Sequence, residues 1–118
     1  MAKPSRPEQE TQIRKAFDAV VNMTSEEVEQ WLQTEHSRAV GWRRRGESES
    51  IGRQSGRRIV AILGKSPPEL EDVDYQHMRK VVGFVRRHLA QRPAGDVSDT
   101  RWRWSLMNWG HDPLRDRR

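Results

Sequence analysis

The sequence predicts an all-α protein, a compact bundle of about five helices. Three observations lead there: apolar residues recur at helical spacing in several segments, helix caps and breakers separate those segments, and no run alternates as a half-buried strand would. The length, 118 residues, suits one small domain. With hydrophobic residues at 33 %, the core is modest and the surface large and charged.

Residues 1–7, holding two prolines, read as a flexible leader, and residues 8–113 as a single helical domain. Ile13, Phe17, Val20 and Val21 form one stripe on a first helix, interrupted at Asn22-Met23-Thr24. Thr24-Ser25-Glu26-Glu27 is a capping box, with Met23 and Val28 placed to staple it. The second helix turns Val28, Trp31 and Leu32 inward and fades near His36, completing an αα-hairpin. Residues 37–56 carry four glycines and four serines with little periodicity, and read as a long basic loop between the second and third helices. A short third helix over about residues 57–63 stops at Gly64 and Pro67-Pro68. Glu69, Glu71, Asp72 and Asp74 open a long fourth helix, where their charge suits the helix dipole. That helix ends before Pro93-Ala94-Gly95. Ser98-Asp99-Thr100 caps a fifth helix bearing Trp102, Leu106 and Trp109, ended by Gly110-His111-Asp112-Pro113; residues 114–118 form a basic tail.

Several function classes drop out. No cysteine means no disulfide framework, no thiolate metal site and no cysteine nucleophile. The longest apolar run, Ile59-Val60-Ala61-Ile62-Leu63, is far short of the roughly 20 residues of a membrane span. His77 and His88 lie eleven residues apart on one helix, about 16 Å at the helical rise, too far to share an ion. No phosphate loop, nucleophile elbow or paired catalytic carboxylates occur. The expectation is a non-enzymatic protein without cofactor, metal or small-molecule substrate. A cytoplasmic location is expected, nucleoid-associated in a bacterium.

The net charge of +5 conceals segregation. Residues 8–35 carry −5, residues 36–68 carry +6, residues 69–78 carry −4 and residues 79–92 carry +5. Bases are 18 Arg to 4 Lys, which suits phosphate but also follows from GC-rich codon usage, so composition alone does not decide. Placement is more informative. On the fourth helix Tyr75, Met78, Val82, Val85 and Leu89 share an arc of about 80° that faces the core. Arg79, Lys80, Arg86 and Arg87 share about 120° on the other side, around a floor of Gln76, Gly83 and Ala90. The loop adds Trp42-Arg43-Arg44-Arg45 and Arg53, followed by Arg57 and Arg58 in the expected first turn of the third helix, and Lys65 beyond it. Guanidinium groups with an interleaved aromatic and glycines match flexible nucleic-acid contacts. A helix-turn-helix reader does not fit, because the second member of the only short-linked pair carries Glu26, Glu27, Glu29 and Glu35.

Met23-Thr24 through Trp31-Leu32, residues 56–65, Met78-Arg79-Lys80-Val81-Val82 and residues 102–113 together resemble a family of small bacterial and fungal proteins of unknown function, often labelled DNA-binding. The resemblance covers residues 14–114 and implies DNA binding without a mechanism. The leading expectation is binding to duplex DNA phosphates with little sequence preference. The alternative is a protein-interaction or stress-related accessory module, a homodimer among its forms, whose basic face docks an acidic partner.

Overall fold

A computed structural model describes residues 3–115. Among them the chain forms six α-helices and no strand: α1 (Arg6–Val20), α2 (Ser25–Leu32), α3 (Glu35–Ala39), α4 (Ile51–Leu63), α5 (Asp72–Leu89) and α6 (Arg101–Asn108). A single 3-10 turn, Pro67–Glu69, joins α4 to α5. The all-helical class is as the periodicity predicts. Of the expected basic tail, residues 116–118 lie outside the described residues.

Five of the six helix starts have an N-cap side chain that accepts a backbone N–H, and at α5 the Glu71 N–H donates to the Asp74 carboxylate at 2.9 Å. Thr24 accepts from the Glu27 N–H at 3.2 Å while the Glu27 carboxylate accepts from the Thr24 N–H at 2.9 Å, the reciprocal box the sequence carries. Ser5, Thr34, Ser50 and Thr100 cap α1, α3, α4 and α6 in the same way.

Two boundaries differ from expectation. The second helix stops at Leu32, and Thr34 caps a separate short helix by accepting from the Ser37 N–H at 3.1 Å. The third helix starts at Ile51 rather than residue 57, so the irregular stretch shrinks to residues 40–50. Gly52 and Gly56 lie in the helix on the face where α4 crosses α6, and Ser55 between them meets His77 of α5 at 2.8 Å. A Cβ on Gly56 would lie 2.7 Å from the Asn108 carbonyl oxygen and 2.9 Å from a Leu32 methyl. The glycines there permit close approach, where by sequence they read as loop.

The main core joins α1, α4, α5 and α6 through Phe17, Ile59, Val81, Val85 and Leu106, all fully buried. A second cluster, Met23, Val28 and Leu32, holds α2 against Val60 of α4 and Met107 of α6. Beside it runs a buried polar chain. Asn108 Oδ1 accepts from the Trp31 indole at 2.8 Å and from the Ser37 hydroxyl at 2.6 Å, and Arg53 donates to Ser37 Oγ at 2.7 Å and to the Leu32 carbonyl at 2.6 Å. Four elements therefore share one satisfied network, and satisfied buried polar groups specify register as well as stability. At the other end, Gly110 (φ +78°) turns the chain so that Asp112 exchanges two hydrogen bonds with the Asn22 side chain and forks with Arg103.

Candidate nucleic-acid interface

Of the twelve predicted contact residues, the eleven bases divide into three groups once folded, and Trp42 stands apart. Arg53 leaves the set. Its side chain is only 8 % exposed, and Leu32, Ser37 and Glu49 consume its donors. This corrects its assignment as a phosphate contact: a helix beginning at Ile51 rather than residue 57 turns Arg53 into the α2–α3–α6 junction. The same shift places Arg57 and Arg58 in the middle of α4, so the helix N-terminus does not assist them in holding an anion.

Three bases remain exposed or half-buried but face carboxylates. Arg57 forks onto Glu49 with its closest contact at 2.6 Å, Lys65 meets Asp74 at 2.8 Å, and Arg44 reaches Glu47 at 3.8 Å. The Arg57 and Lys65 partners hold the Glu49 and Asp74 carboxyls below their usual range. For Glu49 the largest cause is the Arg57 hydrogen bond, and for Asp74 it is the Glu71 N–H followed by Lys65.

The third group is Arg43, Arg45, Arg58, Arg79, Lys80, Arg86 and Arg87. All are exposed, and among the described residues none of them is ion-paired to a carboxylate. The acids of the first hairpin do not neutralise α5. The pairs that involve them join Arg6 to Glu10 and Arg115 to Glu27. On α5, Lys80 and Arg87 form one rim and Arg79 and Arg86 the other, each pair seven residues or about 10.5 Å apart along the axis. Between the rims lies Gly83, where a Cβ would meet the Arg87 guanidinium at 3.0 Å. The cation thus lies back over the open floor.

His77 links α4 to this face. Its Nε2 is 2.8 Å from Ser55 Oγ, and its ring lies nearly parallel to Trp109 at 6.2 Å. Burial first, then the positive fields of Arg58 and Lys80, push its pKa down to about 4. Arg58 of α4 and Lys80 of α5 therefore both act on one ring. Phe84 stacks on Trp109 at 4.2 Å and on His88 at 4.7 Å. Phe84 and Trp109 also border the recess beside Trp42, which brings Gly41 and Trp42 next to Phe84 of α5. The sequence did not single out Phe84; its signal was an aromatic between Lys80 and Arg87, off the apolar arc.

Trp31 and Trp102 are inward, as expected, with the Trp102 indole donating to the His88 carbonyl at 2.7 Å. Trp104 stacks on His36 at 4.0 Å and is half-buried. Trp42 is 68 % exposed. Among the described residues no helix is long and apolar enough to cross a membrane, and no three His, Asp or Glu groups are placed to hold a metal.

Fold and surface thus define a small helical protein with seven exposed bases that have no carboxylate partner among the described residues. The chain belongs to DUF3140, a family of proteins of unknown function whose sequence model matches residues 16–107. That match names the family and lends no support to a DNA-binding label. No curated protein and no solved structure matches the chain.

Proposed function

We propose that the protein binds duplex DNA through its phosphates, without catalysis and with little sequence preference. One observation carries this reading: among the described residues the exposed bases on α5, with Arg43, Arg45 and Arg58, lack carboxylate partners, although the chain holds 17 acids. A surface left charged on one side attracts a polyanion and sets a salt-dependent affinity. Arg43, Arg45, Arg58, Arg79, Lys80, Arg86 and Arg87 make the contacts, with Arg44, Arg57 and Lys65 able to exchange an exposed carboxylate for a phosphate at little cost. Guanidinium forks favour phosphate over a point-charge partner, and Gly83 lets a backbone approach the helix closely.

The test is an R79Q/K80Q/R86Q/R87Q variant, all solvent-exposed positions. Its thermal unfolding should stay near wild type while duplex binding, read by fluorescence anisotropy, falls at least tenfold. Undiminished binding would remove α5 from the interface. Absence of binding by the wild-type protein at low salt would leave an acidic protein as the partner.

A further inference from the structure

Trp42 stands over an apolar recess of about 220 Å³ lined by Ile51, Gly52, Phe84, Ser105 and Trp109. A single exposed aromatic is ordinary on a protein surface and by itself means little. Here three further features accompany it. The Trp42 carbonyl accepts from the Ile51 N–H at 2.8 Å and Gly41 takes φ +96°, so the backbone on both sides of the indole is fixed rather than trailing. The recess is walled by two aromatic rings, Phe84 and Trp109, which stack on each other at 4.2 Å. Exposed cations neighbour Trp42 and Phe84 along the chain. Arg43 and Arg45 follow Trp42 directly, while Lys80 and Arg87 lie about one turn before and after Phe84 on α5.

The loop's acids are engaged elsewhere, Glu49 with Arg53 and Arg57, and Glu47 with Gln54 and Arg44. They do not screen these cations. An aromatic platform between two sets of cations fits a flat group carried on an anionic backbone. A neutral aromatic compound would make no use of the cations, and a simple anion would make none of the indole.

We infer that Trp42 and the recess beside it take up an unpaired nucleobase, whose flanking phosphates are held by Arg43 and Arg45 on one side and Lys80 and Arg87 on the other. The inference rests on the DNA reading above and adds a substrate class to it: DNA with a bulged, mismatched or single-stranded base in preference to an intact duplex. Stacking on aromatic side chains is tolerant of base identity, so the preference is for structure and not sequence.

The experiment compares two labelled 25-base-pair DNAs, one intact and one with a single bulged base, by anisotropy at matched salt. The probes are wild type, W42A and W42F. Wild type should bind the bulged DNA about tenfold more tightly, within the range that removal of one base–aromatic stack produces. W42A should abolish the preference, so that it binds the two DNAs equally, and W42F should retain part of it. Because the indole is exposed, W42A should fold normally. Intact-duplex binding without a Trp42-dependent preference overturns this inference and spares the phosphate-binding reading. Failure to bind either DNA overturns both.

Discussion

Arg53→Ala separates an interior arginine from a contact arginine. The Arg53 guanidinium donates at 2.6 Å to the Leu32 carbonyl, at 2.7 Å to Ser37 Oγ and at 3.1 Å to Glu49. Hydrogen bonds to a charged group are worth about 1.5–3 kcal/mol each, and truncating one partner of a buried pair typically costs about 3–5 kcal/mol. Glu49 is 25 % exposed and keeps Arg57, so its loss is softened. The Leu32 and Ser37 acceptors are not so relieved, and a loss near 3 kcal/mol is expected, about the lower end for a broken buried pair. For a chain of this size each kcal/mol moves the midpoint by about 3–6 °C, so Tm should fall by about 10–15 °C. Arg57→Ala is the control: its side chain is 58 % exposed, and an exposed ion pair contributes about 1 kcal/mol or less. Thermal unfolding followed by circular dichroism at 222 nm reads both. An Arg53→Ala protein that melts within about 3 °C of wild type, yet binds DNA more weakly, would refute the interior assignment.

Gly56→Ala should destabilise by about 1–3 kcal/mol in urea titrations, since its Cβ meets the Asn108 backbone oxygen at 2.7 Å. Gly83→Ala should instead stabilise by up to about 1 kcal/mol, because only the mobile end of Arg87 obstructs it and alanine suits a helix interior better. Thr24→Ala removes the capping-box acceptor and should cost about 1 kcal/mol. As pH falls, the unfolded chain protonates His77 near its ordinary value of 6.5, whereas the folded chain resists until about 4. The unfolded state then binds more protons, so His77 contributes stability at neutral pH that is lost as pH falls through that window. Urea midpoints of His77→Gln should show a shallower decline there, and Lys80→Gln should raise the His77 pKa in an NMR titration.

Much of this fold is legible from local pattern. The Thr24 box, the Phe17 stripe and the α5 core arc depend on residues within a turn or two of one another, and each is found where the spacing puts it. The α4 boundary was not legible, because glycine and serine at 52, 55 and 56 favour loop locally and are helical against Asn108, Leu32 and His77. The polar chain from Trp31 through Asn108 and Ser37 to Arg53 joins residues up to 77 positions apart, and no window of sequence contains it. Charge segregation was visible, yet which bases would be neutralised was not. Arg57 and Arg58 are adjacent in sequence; a 100° step gives one to Glu49 and leaves the other beside His77.

Salt dependence of duplex binding tests the central claim most directly. Seven exposed bases without a carboxylate partner among the described residues predict between four and seven neutralised phosphates, so log Kobs against log salt should have a slope of about −3.5 to −6. The R79Q/K80Q/R86Q/R87Q protein should lose roughly 0.9 of slope for each contact removed. A wild-type slope near −1, or one that the four substitutions leave unchanged, would contradict binding through this surface.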